Sequence, residues 1–350
     1  MMSMRSGDVG TAPGAPVEQG GEGEQARQKL ARKRSSGRLE AMALPITWLA
    51  VIVVFSITET GTFFTTDNAS SILASQAVLV VVTLGLIVPL IAGDFDLSVG
   101  AVVGASALTI AVLNVQHDWP IGLAIVAALV VGLIVGLVNS SLTVLLGIDS
   151  LIVTLGMSTL LAGITLGVSS ANTITGVSQT LINVVIIDRF LGIPLEFYYA
   201  IILAFILWYV FQFTPLGQRL LVVGRNRDVA RLSGMRVSRL RIGALVTSSF
   251  LAALGGVLIV GTSGSAGPTT GIDLLLPAFA AAFLGSTTIK PGRFNPWGTV
   301  IAVYFLVTGI TGLQLLGLAS YVQSLFYGGA LIIAVSFSQI IKRRRAKKGI

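Results

Sequence analysis

The stretch Ile91-Ala92-Gly93-Asp94-Phe95-Asp96-Leu97-Ser98-Val99-Gly100 places two carboxylates and a hydroxyl between two long apolar runs. A carboxylate accepts hydrogen bonds, so Asp94 and Asp96 can serve the free N–H groups of a helix start or the donors of a polar solute. Gly93 breaks the preceding run, and Asp96 or Ser98 stands where an N-cap belongs. In the second reading, Asp94, Asp96, Ser98 and Gly100 line a broken, water-accessible stretch beside a solute path. Irregular backbone at membrane depth is tolerated only where protein buries it or a cavity hydrates it. The two roles are compatible.

Other polar groups are few. Asn139-Ser140-Ser141 closes one apolar run, and Asp149-Ser150 opens the next, with Thr154 one turn further on. These residues either satisfy backbone groups of broken helices or mark the membrane surface. Gln314, with Thr308 and Thr311, gives a late run sparse polarity that suits helix–helix hydrogen bonds or a polar pathway. The segment 214–240 is rich in arginine and contains Arg225-Asn226-Arg227-Asp228-Val229-Ala230-Arg231-Leu232-Ser233-Gly234. It reads as a short helix closed by Gly234, with Asp228 placed to cap or pair locally. Such a piece either fixes topology or docks into a partner as one rigid element.

Covalent chemistry has little to work with. The chain has no cysteine and one histidine, His117, so thiolate nucleophiles, Cys-ligated metals and an H-E-x-x-H site are excluded. No G-x-x-x-x-G-K-[ST] is present to cradle phosphates. Gly261-Thr262-Ser263-Gly264-Ser265 only imitates a nucleophile elbow, since Ser265 replaces its second glycine.

The elements that carry these residues follow from composition. Hydrophobic residues make up 54% of the 350 and charged residues 11%, against roughly 25% charged in soluble domains. Lipid must be the solvent. Apolar runs near the ~20 residues that cross a bilayer fall at 43–63, 70–92, 98–115, 120–139, 150–169, 197–213, 241–262, 272–285, 297–316 and 320–341. The expected fold is all-α and polytopic, with about ten transmembrane helices, some broken or short. Residues 1–41 are expected to form a disordered basic cytoplasmic tail, 42–341 the membrane domain, and 342–350 a basic cytoplasmic C-terminal tail.

Charge supports this count. Of 23 basic residues, seven precede residue 42, seven lie in 214–241 and six in 342–348, while Lys290 and Arg293 sit together in a later loop. With both termini inside, all of these fall on the cytoplasmic side, as retention of positive charge predicts. The loops assigned outside hold Asp67, Asp118, Asp188, Arg189 and Glu196. Nucleic-acid binding would need a folded basic face, and these charges flank apolar segments instead. Gly132/Gly136 and Gly163/Gly167 have the spacing of close helix packing. "FDLSVGA" is faintly echoed by "GIDLLLPA" at 271–278, as in the internal repeats of transporters.

Taken together, "GDFDLSVGAVVGASA", "GLVNSSL…IDSLIVTLGMSTLLAGI", "VVGRNRDVARLSGMRV" and "PGRFNPWGTVIA" resemble, in order, the permease subunits of ribose- and xylose-type ABC importers. That family includes autoinducer-2 permeases and is related to branched-chain amino-acid permeases. The resemblance covers roughly 75–341. It implies an inner-membrane gate that works by alternating access, most simply for a monosaccharide such as a pentose. Autoinducer-2, a sugar alcohol or a branched-chain amino acid are alternatives, as is a lone secondary transporter. The implied partners are an ABC ATPase subunit, a periplasmic or lipid-anchored extracellular solute-binding protein, a second permease copy and lipid. No cofactor is expected on this chain; ATP and Mg are used by the ATPase. Arg225, Asn226, Asp228, Ala230, Arg231, Leu232, Ser233 and Gly234 would form the coupling element. Asp94 stands where the family usually has a second glycine, and Asn139-Ser140 replaces Asn-Gly.

Overall fold

The computed structural model describes residues 41–319 and 321–347. The inferred tails therefore lie largely outside the described residues; Ala41 already belongs to the first helix, and the last helix continues past residue 341 to Lys347.

The chain folds into helices α1 (Ala41–Thr58), α2 (Thr66–Ser75), α3 (Ala77–Ala92), α4 (Val99–Ala111), α5 (Ile121–Ser140), α6 (Ser150–Val168) and α7 (Gln179–Ile182). They are followed by α8 (Leu195–Phe213), α9 (Pro215–Arg225), α10 (Arg227–Leu232), α11 (Val237–Ser263), α12 (Leu275–Gly285), α13 (Pro296–Leu315) and α14 (Tyr321–Lys347). Among the described residues eight helical stretches are long and apolar enough to cross a membrane, and the shorter Ile272–Gly285 and Tyr321–Ser336 fill the remaining two of the ten expected runs. This is an all-α polytopic membrane protein.

Each helix forms for local reasons. α3 is apolar around its whole circumference, and all sixteen of its residues are buried. A helix without a polar face must be enclosed by others, and α3 sits at the centre of the bundle, packed by α8, α11, α12 and α13. α11 is the second central helix. Its partner α5 brings Gly132 and Gly136 against it: a Cβ at Gly136 would lie 2.8 Å from the Val246 Cα. The second glycine pair behaves differently, because Gly163 and Gly167 on α6 face open space.

Several boundaries depart from the sequence reading. α2 and α3 join at Gln76, so the second run begins at Thr66 rather than 70. α5 continues through a π-helical turn at Ser141–Leu145, which draws Asn139 and Ser140 inside instead of leaving them at the surface. The arginine-rich segment expected as a loop with one short helix contains two helices, α9 and α10. Thr214 caps α9 and Pro215 occupies its first turn, both of which favour a start there. Glu196, expected in a loop, lies buried in the first turn of α8, where its Oε2 accepts a hydrogen bond from Thr262 Oγ1 at 3.0 Å.

The span containing α12 is discontinuous. After α11 the chain forms strand β2 (Ser265–Ala266), antiparallel to strand β1 (Ile174–Thr175), at the end of the bundle opposite α9 and α10. It then runs without regular structure back along α4 to Gly271, and helix resumes at Ile272. Gly100 and Gly271 allow this approach: a Cβ at Gly100 would sit 2.8 Å from the Gly271 carbonyl oxygen, and one at Gly271 2.6 Å from that of Gly100. The two segments linked by the faint sequence echo are thus both helix breaks, and they meet.

Candidate functional site

α3 ends because Gly93 adopts φ +81°, a left-handed conformation that strains any residue with a Cβ. The Gly93 N–H donates to the Leu90 carbonyl at 3.2 Å and the Asp94 N–H to that of Pro89 at 2.9 Å, satisfying carbonyls the helix would otherwise orphan. Residues 95–97 then cross to Ser98, whose carbonyl accepts the first helical hydrogen bond of α4 from the Val102 N–H at 2.8 Å.

Their backbone donors are served by α6. The Phe95 N–H donates to Ser150 Oγ and the Leu97 N–H to Thr154 Oγ1, each at 3.0 Å. Ser150 and Thr154 are four residues apart on a helix, so one face presents both hydroxyls to the break. Asp149 caps α6 through the Leu151 N–H at 2.8 Å and keeps that face in register. A Thr154→Val variant leaves the half-buried Leu97 N–H without its acceptor, which costs about 1 kcal/mol. Thermal unfolding of the purified chain in detergent should fall accordingly, with Thr159→Val on the exposed side of α6 close to unchanged.

Asp96 and Ser98 do not cap α4 as expected. Ser98 donates its hydroxyl to Asp96 Oδ1 at 2.6 Å and accepts from Asn139 Nδ2 at 2.9 Å, while its N–H donates to the same Asp96 oxygen at 3.0 Å. The hydroxyl is thereby committed, and no side chain caps the helix. Asp96 and Asn139 are wholly buried, and Asp96 Oδ2 and Asn139 Oδ1 have no hydrogen-bond partner among the described residues. Burial pushes the Asp96 carboxyl above its usual range, and the nearby hydroxyls of Ser98 and Ser248 and the Ser98 N–H offset part of that rise. These contacts bind α4 to α5 across the break.

Asp94 has a different environment. Its carboxylate is 2% exposed and is held by two arginines that lie 133 and 147 residues away in sequence. Arg241 of α11 donates Nε to Oδ2 and Nη2 to Oδ1, both at 2.7 Å, in the bidentate geometry of a guanidinium–carboxylate pair. Arg227, the first residue of α10, donates Nη2 to Asp94 Oδ1 and to the Gly93 carbonyl, both at 2.8 Å. Neither arginine stood out in the sequence, where they belonged to a general basic cluster.

α10 is built to be rigid. Asn226 caps it, with Oδ1 accepting from the Asp228 N–H at 2.9 Å and the Val229 N–H at 3.1 Å, and Gly234 closes it at φ +76°. Ala230 is buried beside Val223 and Val237. The opposite side faces outward: Leu232 is 89% exposed, and Val229 and Arg231 are also exposed. Asp228 and Arg231 approach only to 3.7 Å, both well hydrated, a geometry worth little to stability.

The structure therefore brings Asp94, Asp96, Ser98, Asn139 and Thr154 to one break, places Gly100 on its rim against Gly271, and fastens α10 to it through Arg227. Gln314 is elsewhere. It is exposed near the C-terminal end of α13, remote along that helix from the Pro296 end that packs near α3's terminus.

The profile of the family described as branched-chain amino acid transport system / permease component matches residues 68–335. Among curated relatives, the D-allose transport system permease protein AlsC of Escherichia coli is 30% identical over 296 residues, which cover 84% of this chain and 90% of the relative. The ribose import permease protein RbsC of Bacillus subtilis is 31% identical over 314 residues, covering 89% and 97%. The autoinducer 2 import system permease protein LsrD of Salmonella paratyphi B is 28% identical over 260 residues, covering 73% and 78%.

Proposed function

The chain belongs to the family of branched-chain amino acid transport system permease components, and from that premise we propose that it is the membrane gate of an ABC importer for a monosaccharide. Relatives of similar length named for allose and ribose transport favour a sugar over an amino acid. In this reading two permease copies form the path, a solute-binding protein delivers cargo outside, and ATPase subunits use ATP and Mg on the cytoplasmic side. The same reading assigns both termini and α9–α10 to that side, because the basic residues of the sequence concentrate there.

The observation that carries the reading is the tie between α10 and the break after α3. A nearly fully exposed leucine beside an exposed arginine on a capped, rigid helix suits a groove in a partner. Motion imposed there passes through Arg227 to Gly93 and Asp94. From the break it reaches α6 through Ser150 and Thr154 and α5 through Asn139. Closing the ATPases would thus re-angle several gate helices together, and no step requires covalent chemistry on this chain.

Arg231→Glu tests the docking face. The variant should insert and assemble normally, while uptake and stimulation of ATP hydrolysis in reconstituted vesicles fall at least about tenfold, a loss of about 1.4 kcal/mol at the contact. Normal transport by this variant would show that α10 is not the docking element.

A further inference from the structure

Asp273 has a position that lipid does not accept. It follows Ile272 at the resumption of helix in the discontinuous span, and its side chain is exposed together with those of Ile272 and Leu276. Its depth can be triangulated. The Gly271 and Ile272 carbonyls meet Gly100, and from Gly100 the span containing α4 continues to Gln116, about 24 Å away at 1.5 Å per residue. In the other direction α12 runs from Leu275 to Gly285, about 15 Å, where Gly285 packs against the start of α13. Asp273 therefore stands well inside the hydrocarbon layer of ~30 Å.

An Asp at the bilayer centre facing lipid costs about 2.5–3.5 kcal/mol by insertion scales. Among the described residues no hydrogen bond or ion pair involves its carboxylate to offset that cost. That cost disfavours lipid on this face and is relieved where water reaches it. Asp273 also lies in the first turn of resumed helix, where the macrodipole favours a negative side chain. Half-helices that begin at mid-membrane are the usual framework of transport sites.

We propose that Asp273 lines the aqueous solute path and that its carboxylate accepts hydrogen bonds from the hydroxyls of the sugar in transit. The sugar part of this inference rests on the importer reading above. A carboxylate is an acceptor with two oxygens, and a polyol offers adjacent hydroxyl donors, so one Asp can hold two of them. The flanking Ile272 and Leu276 fit the apolar C–H faces of such a ring.

The cysteine-free sequence permits a direct test. In membrane vesicles carrying the assembled complex, Asp273→Cys should react with a cationic, membrane-impermeant methanethiosulfonate as Thr180→Cys does in the exposed far-end segment. Ile202→Cys, on the exposed apolar face of α8, should not react. An unreactive Asp273→Cys beside a reactive Thr180→Cys would overturn the proposal. In a second arm, Asp273→Asn should lower uptake of radiolabelled ribose at least tenfold with assembly intact, and Asp273→Glu should recover part of it. Undiminished uptake by Asp273→Asn would overturn the carboxylate's role. If the unaltered complex takes up no sugar although Asp273→Cys is labelled, the sugar reading fails and the wet path stands.

Discussion

Replacing Arg241 by glutamine is expected to destabilise the chain by about 3–5 kcal/mol, the usual cost of removing one partner from a buried ion pair. Asp94 is 2% exposed, and Arg241 supplies two of its three guanidinium hydrogen bonds from a position only 15% exposed itself. Glutamine can restore at most one donor and no charge. Arg227→Gln should cost less, because Arg227 is 39% exposed and leaves the bidentate pair intact. Its effect should appear in coupling instead, since among the described residues it makes the side-chain hydrogen bonds that join α10 to the break. Asp94→Asn introduced into the Arg241→Gln background should recover part of the lost stability by removing the stranded charge. The double-mutant cycle, read from unfolding midpoints of the purified chain in detergent, isolates that pairwise energy. Equal costs for Arg227→Gln and Arg241→Gln, or no recovery in the double variant, would show that the cluster is not held together by this carboxylate.

How much of this site could be read beforehand depends on the range of the signal. Membrane spans are announced locally, by twenty consecutive residues, and the ten apolar runs coincide with ten apolar helical stretches even where a π turn or Gln76 moves an edge. The short helix at 227–232 was likewise legible from its terminator Gly234, but its cap is Asn226 rather than Asp228, whose own N–H donates to the Asn226 side chain. α9 was not, since its apolar residues are interrupted by Gln218 and Arg219 and gave no span-like run. The pairing of Asp94 with Arg227 and Arg241 lies beyond any local pattern: charge alone marked all the arginines alike, and only the fold selects two. Glu196 misled for a related reason, because its charge suggested a loop while Thr262, its partner on α11, is 66 residues away. The discontinuity before α12 was visible only as a short span and a faint echo. What makes it structural, the Gly100–Gly271 contact, joins positions that each look like an ordinary membrane glycine.

A methyl group at position 224 should abolish transport. Gly224 lies at the end of α9 where that helix crosses the terminus of α3, and an added Cβ would overlap the Ile91 carbonyl oxygen and come within 2.9 Å of its carbon and 3.3 Å of the Ala92 carbonyl carbon. These are backbone atoms of a fully buried helix, so no rotamer change relieves the clash and one of the helices must shift. Overpacking of this kind costs about 1–3 kcal/mol and sometimes more. The functional loss should exceed that figure's implication, because Arg227 follows three residues later and its two 2.8 Å contacts to Gly93 and Asp94 tolerate little displacement. Gly224→Ala should therefore insert and retain most helical content, yet lose at least tenfold in uptake and in coupled ATP hydrolysis. Gly243→Ala is the matched comparison: its Cβ would meet nothing within 4 Å, and alanine in a helix interior is favoured over glycine by about 0.5–1 kcal/mol, so that variant should be at least as stable as the parent and fully active. If Gly224→Ala transports as well as Gly243→Ala does, the crossing of α9 over α3 is not what carries force to the break.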